Sequence, residues 1–136
     1  MAKPFRLERF IPSESSEQQV IMDWARLNEL RYPDLRWLYA SMNGILTSPQ
    51  FGAQLKRLGR KPGVPDLCLP VARGSFHSLY IELKRKEGGI LSDRQVLWIE
   101  GMRAEGHFAG VANGASEAIE MLLKYLRLPK TEVLVF

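Results

Sequence analysis

Three side chains of this sequence have the types and spacing that hydrolysis of a phosphodiester requires: Asp66, Glu82 and Lys84. Each lies in or beside a segment with the composition of a β-strand, and side chains alternate between the two faces of a strand. Glu82 and Lys84 therefore share one face of their strand, and Asp66 lies opposite the aliphatic residues of the strand before it. If the two strands pair, two carboxylates and one ammonium group converge at one end of a sheet.

Such a set can support metal-dependent catalysis. Carboxylate oxygens are the ligands that Mg²⁺ prefers, and the ion takes only one or two of them while keeping several waters. The metal polarises phosphoryl oxygens and lowers the pKa of a bound water, and a lysine can orient that water or offset developing charge. Taken alone, Glu82 and Lys84 could instead be a surface ion pair, and Asp66 could cap the start of its strand.

The elements that must position these residues can be predicted from apolar periodicity and turn signals. A helix is expected from Ser13 to about Leu30, and another from Ser92 to about Glu105. The remaining segments are strands over residues 35–42, 64–72, 78–85 and 107–112, and a last helix over residues 116–126. This order, αβββαβα, predicts an α/β fold with a mixed sheet of at least four strands flanked by helices.

The second helix begins with a complete capping signal. Ser92 is the expected N-cap with Gln95 at N3, while Leu91 and Val96 have the positions of a hydrophobic staple. Gln95 also shares a helical face with Trp98, which is expected in the core, and that face would direct Gln95 toward the sheet. Gln95 can thus be a cap, a residue of the site, or both.

Glu17 lies on the buried stripe predicted for the first helix, formed by Val20, Ile21, Trp24 and Leu27. A carboxylate on an apolar stripe is unfavourable unless it is paired or bound to a metal. The sequence therefore indicates a site role for Glu17, through a metal-bound water or a second ion, with a solvated helix start as the alternative.

The charge distribution favours an anionic partner. The formal net charge is +4 and the pI is near 9.4, and residues 35–65 contain no acid at all. In the predicted loop that follows Asn43-Gly44, the cations are Lys56, Arg57, Arg60 and Lys61. They are ordinary solvated residues or phosphate contacts, and their position just before Asp66 favours binding of nucleic acid.

The length of 136 residues suits one domain. We expect an N-terminal arm over residues 1–12, a nuclease domain over 13–130, and a tail over 131–136 whose strand-like composition makes it a possible dimer strand. The single cysteine, Cys68, excludes an intramolecular disulfide. Neither a spanning segment nor a secretory signal is apparent, so a cytoplasmic protein without a membrane partner is expected.

These motifs, in this order, resemble the VRR-NUC branch of the PD-(D/E)XK nuclease superfamily. Val64-Pro65-Asp66, followed by Ile81-Glu82-Leu83-Lys84, has the form of the superfamily motif. The surrounding pattern adds Glu17, Asn43-Gly44, Gly63, Leu91-Ser92-Asp93-Arg94-Gln95, Trp98 and Gly106. The similarity covers roughly residues 14 to 126 and implies a restriction-endonuclease-like core.

The resemblance also implies a function. Asp66 and Glu82 would be ligands of Mg²⁺ or Mn²⁺, with the backbone carbonyl of Leu83 as a further ligand, and Lys84 would be the catalytic lysine. Small stand-alone members of the branch, from phages and bacteria, are similar to Holliday-junction resolvases and form homodimers. The resemblance therefore implies a bacterial or phage-encoded homodimer that cleaves branched DNA in a structure-selective way. The alternatives are a nicking, restriction-type or single-strand-trimming nuclease, and an inactive DNA-binding protein of the same fold.

Overall fold

The computed structural model describes residues 13–136, and the expected N-terminal arm over residues 1–12 lies outside them. Four helices and four strands follow one another, with a short 3-10 helix at Pro33–Trp37. The helices are α1 Glu14–Leu27, α2 Pro49–Arg57, α3 Asp93–Ala104 and α4 Ala115–Leu126. The strands are β1 Tyr39–Ala40, β2 Leu67–Leu69, β3 Leu79–Lys84 and β4 Phe108–Asn113. None of the helices in residues 13–136 has the length and hydropathy of a membrane-spanning segment.

The strands form one mixed sheet in the order β1-β2-β3-β4. β1 and β2 pair antiparallel, as do β2 and β3, whereas β3 and β4 run parallel. In the register of the central pair Leu67 lies opposite Ile81, so Asp66, which directly precedes β2, lies beside the Glu82 end of β3. The predicted α/β fold with a mixed, helix-flanked sheet is confirmed.

The hydrophobic core lies on the aliphatic face of the sheet. Leu79, Ile81 and Leu83 are each at most 1% exposed, and they belong to one cluster with Ile21 of α1 and Leu122 of α4. The other face, which carries Glu82 and Lys84, is covered by α3, which packs against β3 and β4. The site residues therefore lie between a sheet and a helix rather than on an open surface.

The stripe predicted for α1 is only partly correct. Ile21 is buried and Trp24 packs against the core, but Val20 and Leu27 are exposed. The helix also ends at Leu27 instead of Leu30, where Asn28 donates its side-chain amide to the carbonyl of Trp24. The end of the helix is thus fixed by a capping side chain rather than by apolar periodicity.

The first two predicted strands are much shorter than expected. Residues 33–37 form a 3-10 helix with Pro33 in its first turn, and only Tyr39 and Ala40 pair as strand. Asp34, at the start of this helix, forms an ion pair with Arg73, a contact between distant segments that no local propensity reports. The strand expected over residues 64–72 is reduced to Leu67–Leu69.

A helix replaces the basic loop that the sequence predicts. Ser48 caps α2 by accepting a hydrogen bond from the Phe51 amide, and Pro49 occupies the first helical position, where its missing N–H is harmless. None of the residues of α2 is buried. Residues 42–61, which comprise α2 and its two connections, are called the α2 segment below.

The C-terminal tail, residues 131–136, is not part of a strand in the described chain. Lys130 forms an isolated bridge with Arg73, and the Thr131 hydroxyl donates to the carbonyl of Gly74. Beyond this anchor Val133 to Phe136 are all exposed. The role of the tail as a dimer strand stays a prediction.

Candidate active site

Two charged side chains at the end of β3 are almost fully buried, which is unusual for charged residues. Glu82 is 2% exposed and Lys84 is 8% exposed, and both are on the face opposite the aliphatic core. Asp66 joins them because its Oδ2 accepts a hydrogen bond from the backbone amide of Leu83 at 2.8 Å. This bond ties the segment before β2 to the middle of the Glu-Leu-Lys sequence, so the three predicted residues converge.

The Glu82 carboxylate has one engaged oxygen and one free oxygen. Its Oε1 accepts a hydrogen bond from the Gln95 side-chain amide at 2.8 Å and lies 3.8 Å from the Lys84 Nζ. Its Oε2 is buried and has no hydrogen-bond partner among residues 13–136. Buried carboxylate oxygens are normally paired, so the free oxygen marks a place for a ligand.

Burial changes the acidity of both carboxyl groups. It raises the pKa of Glu82 to about 8, with the neighbouring Asp66 raising it further and Lys84 opposing the rise. Burial also raises the pKa of Asp66, against the lowering effect of the hydrogen bond from the Leu83 amide. Two acids that resist ionisation when left by themselves are stabilised as carboxylates by a bound cation.

Gln95 both caps α3 and contacts Glu82. Its side-chain Oε1 accepts a hydrogen bond from the Ser92 backbone amide at 2.9 Å, and its backbone amide donates to the Ser92 Oγ at 3.2 Å, which completes the capping box. Its side-chain Nε2 meanwhile donates to Glu82. The start of α3 thus fixes the orientation of a site carboxylate.

Gly63 lets the segment that carries Asp66 approach the start of α3. Its φ of +87° is in the left-handed region, and a Cβ there would lie 2.6 Å from the carbonyl carbon and oxygen of Arg94. Because Gln95 is the next residue after Arg94, this close approach brings the Asp66 segment and the Glu82 partner together. A side chain at position 63 would separate them.

An open cleft of about 440 Å³ lies over the carboxylates. Asp66, Glu82 and Gln95 line it together with residues of the α2 segment and one residue of α1. The α1 residue is Glu14, which was not among the predicted site residues. A signal was present, since Ser13 as N-cap places Glu14 in the first turn, just before Glu17. The apolar stripe singles out Glu17 instead.

Glu17 is not among the residues that line the cleft. It is 5% exposed, and its Oε2 accepts a hydrogen bond from the Ala115 backbone amide at 2.5 Å. The N-cap of α4 is Gly114, which has no side chain to cap the helix, so Glu17 supplies the missing acceptor from another helix. This contact explains its burial, and a role in metal binding stays a prediction.

The four basic residues do not act as one group. Lys56 and Arg60 line the cleft, Lys61 lines an adjacent groove, and Arg57 lies at a separate concavity beside Leu58. The Arg60 guanidinium is already occupied, since it donates to the Asn43 side chain at 3.1 Å and to the Asn43 carbonyl at 2.6 Å. Arg60 therefore holds the two ends of the α2 segment together through these hydrogen bonds.

The donor set fits a hard divalent cation held by few protein ligands. Residues 13–136 contain no group of three or more His, Cys, Asp or Glu side chains arranged around one metal position. Two carboxylates are present, one of them with the free Oε2 of Glu82. Mg²⁺ accepts this arrangement because it keeps several waters, whereas a structural Zn²⁺ site would need four protein ligands. The carbonyl of Leu83 as a further ligand stays a prediction.

Comparison with known proteins places these features in a family. The family model for the VRR-NUC domain matches residues 12–116. A solved structure described as a VRR_NUC domain protein is similar at a TM-score of 0.76 and 30% sequence identity, covering 93% of this chain and 96% of that one. A search of curated proteins gives no significant match.

Proposed function

The chain belongs to the VRR-NUC domain family, which implies a nuclease-type function, and we propose that it is a Mg²⁺- or Mn²⁺-dependent endodeoxyribonuclease acting on branched DNA. The observation that carries the proposal is the free Oε2 of the buried Glu82, beside Asp66 and Lys84. A protein that only bound DNA would have no use for a buried carboxylate oxygen without a hydrogen-bond donor. The inactive alternative is for this reason disfavoured.

The proposed roles follow from the contacts. Asp66 and Glu82 would hold the cation, which when bound polarises a phosphoryl oxygen and lowers the pKa of a water. Gln95 keeps the Glu82 carboxylate in one orientation through its 2.8 Å hydrogen bond. Lys84, held near Glu82 in a buried position, would orient the attacking water or offset charge that develops on the phosphate.

The cleft also suits a DNA backbone. Lys56 and Arg60 line it, and the α2 segment carries four cations and no acid. Phosphate contacts position a nucleic acid without reading its sequence. We therefore propose that structure rather than sequence selects the substrate, with branched DNA such as a Holliday junction as the leading candidate.

Two incisions in a two-fold symmetric junction require two copies of the site, because one chain carries a single Asp66-Glu82-Lys84 set. A homodimer is accordingly part of the proposal. The exposed apolar tail, Val133 to Phe136, is the proposed contact. Sedimentation at micromolar concentration should show a dimer that deletion of residues 131–136 weakens. A dimer unaffected by the deletion would move the interface elsewhere, most simply to a helix face.

The proposal is tested by incubating the full chain with linear duplex, flap, fork and four-way DNAs in Mg²⁺ or Mn²⁺. We expect cleavage of the branched DNAs, no cleavage in EDTA, and no cleavage by the Glu82→Gln variant, which keeps the shape of the side chain and removes its charge. Equal cleavage of linear and branched DNAs would reject structure selectivity. Cleavage in EDTA would reject metal dependence.

A further inference from the structure

A second concavity of about 500 Å³ adjoins the catalytic cleft. Its walls are mostly apolar and include Met42, Ile45, Phe51 and Leu55, with Arg60 and Lys61 as the cationic members. We call it the apolar groove. Its volume lies within the range of roughly 300–1,000 Å³ that is typical of small-molecule sites. Nothing in the proposed hydrolysis uses it.

The groove exposes more apolar surface than folding explains. Met42, Ile45 and Phe51 are each about half exposed, at 53%, 52% and 51%. Phe51 and Leu55 lie one helical turn apart in α2 and so share a face. Met42 has a φ of +61°, a region that a residue with a side chain adopts at a penalty and that is concentrated at functional sites.

The groove is continuous with the catalytic cleft. Asn43, Arg60 and Val64 line both concavities. A strand whose phosphate lies at Asp66 and Glu82 would therefore place its neighbouring nucleotide at the groove. The charge is complementary to such a strand, because the surrounding residues 35–65 carry cations and no acid.

We propose that the apolar groove receives an unpaired nucleobase next to the scissile phosphate, with the base stacked on Phe51. This proposal rests on the proposed nuclease function and specifies its substrate class. A base has apolar faces that stack on aromatic side chains regardless of sequence. In a continuous duplex those faces are covered by neighbouring base pairs. The preferred DNA would thus have unpaired nucleotides at the cleavage position, as forks, flaps and opened junctions do.

The wall of the groove also contains an unsatisfied polar group. The Ser41 hydroxyl belongs to a residue that lines the groove, and its Oγ is buried with no hydrogen-bond partner among the described residues. The apolar tail of a second copy is the competing occupant. A tail seated in the groove would obstruct the cleft, since the two concavities share lining residues, and the nucleobase is for this reason favoured.

The first test combines a change in the protein with a change in the DNA. Cleavage of a fork with Mg²⁺ is compared with cleavage of the same fork carrying one abasic nucleotide at successive positions beside the cut. We expect an abasic nucleotide at one position to lower kcat/KM of the wild type about 10-fold, as removal of one stacked base does. Phe51→Ala should lower kcat/KM on the intact fork by about the same factor. In this variant the abasic nucleotide should cause no further loss of kcat/KM.

Leu58→Ala is the matched control. Leu58 is an exposed apolar residue of the same segment, at 77%, but it lines a different concavity. Its truncation should leave kcat/KM and the abasic effect as in the wild type. Phe51→Leu, which keeps apolar volume without a flat ring, should behave like Phe51→Ala if stacking is the interaction, and circular dichroism should show the same helix content for all three variants.

A second measurement does not depend on catalysis. A fork with 2-aminopurine at the sensitive position is titrated with protein in EDTA, and the emission should change when the base leaves the DNA stack for Phe51. We expect this change with the wild type and Leu58→Ala, and not with Phe51→Ala. An unchanged emission with the wild type at saturating protein would overturn the proposal.

The remaining outcomes separate the groove from the nuclease function. Equal loss of activity by Phe51→Ala on intact and abasic forks would reject the base pocket while leaving the nuclease intact. The same equal loss accompanied by dissociation of a dimer would assign the groove to the tail of a second copy. Failure of the wild type to cut any DNA with Mg²⁺ or Mn²⁺ would reject the nuclease function, and the groove proposal with it.

Discussion

Two regions of this molecule line the same cleft but differ in how deeply their side chains are buried. At the end of β3, Glu82 lines the cleft whereas Lys84 does not. Both side chains are almost fully buried, and Glu82 is held by a hydrogen bond from Gln95 and an ion pair with Lys84. In the α2 segment no residue of the helix is buried, and cations and apolar side chains alike face solvent. The segment is closed mainly by the hydrogen bonds between Arg60 and Asn43.

The difference agrees with the role proposed for each region. Charged groups without solvent are unfavourable unless the surrounding structure holds their partners in place, and a reacting centre needs that fixed geometry. A surface that follows a DNA strand needs charge and access instead, and a packed core would hide both. We call the end of β3 with Asp66, Glu82 and Lys84 the sheet end. We infer that the sheet end determines the chemical step, whereas the α2 segment determines which DNA reaches it.

The largest expected effect concerns the two carboxylates. Asp66→Ala or Glu82→Ala should abolish cleavage, because each removes a proposed metal oxygen, while DNA binding through the α2 segment persists. Gel cleavage, fluorescence anisotropy of bound DNA and circular dichroism measure the activity, the binding and the fold. Either variant cutting at near the wild-type rate would end the assignment of the site.

Lys84→Ala should have the next largest effect. We expect turnover to fall roughly 10²- to 10³-fold, as after removal of one electrostatic stabiliser of a transition state, with little change in DNA affinity. Lys124→Ala, which changes an exposed cation in the last turn of α4, is the control and should cut normally. A Lys84→Ala variant with weakened binding and normal single-turnover rate would move Lys84 from the chemical step to DNA binding.

Gln95 tests how far the fixed geometry of the sheet end matters. Gln95→Ala removes both the capping hydrogen bond to Ser92 and the hydrogen bond to Glu82, whereas Ser92→Ala disturbs only the cap. Each should lower the free energy of unfolding by about 1 kcal/mol. Only Gln95→Ala should weaken metal affinity or activity, by roughly 10- to 100-fold. Equal activity of the two variants would limit Gln95 to its structural role.

The α2 segment is tested through its cations. Replacing Lys56, Arg57, Arg60 and Lys61 together with alanine should weaken binding to every DNA and flatten its salt dependence, with the log–log slope reduced by about 0.9 for each phosphate that is no longer neutralised. Arg60→Ala alone should act differently, because its guanidinium holds the loop at Asn43. Proteases should therefore cleave the Arg60→Ala variant more readily within residues 42–61 than they cleave the wild type. An unaltered salt slope in the fourfold variant would show that these residues make no phosphate contacts and are ordinary solvated surface residues.

Sequence patterns are informative about the first region and poor for the second. Strand alternation and the capping box are local rules, and they predict that Glu82 and Lys84 share a face and that Gln95 lies at a helix start. The approach of Asp66 follows only if the two strands pair, as β2 and β3 do. The partner of Glu17 is 98 residues away at Ala115, and no periodicity reports such a contact. The α2 helix escapes prediction because it buries nothing, although Ser48-Pro49 is a recognisable helix start.

The expected effect that concerns cleavage least is a pH dependence of stability that arises from the buried carboxyl group at the end of β3. Burial, with Asp66 nearby, raises the pKa of Glu82 from 4.5 to about 8 in the folded protein. Between these values the folded state binds more protons than the unfolded state, so the free energy of unfolding of the metal-free protein should fall as pH rises from about 4.5 to 8.

Urea denaturation in EDTA at several pH values measures this slope. Glu82→Gln cannot ionise and should show a shallower fall, leaving the variant more stable than the wild type near pH 8, with the remaining slope arising from other groups such as Asp66, whose pKa is also raised. Lys124→Ala is the control, because it removes an exposed cation that does not line the cleft and should leave the slope unchanged. Identical slopes for the wild type and Glu82→Gln would mean that Glu82 is already ionised at low pH, and that its burial is less complete in solution than the contrast between the two regions requires.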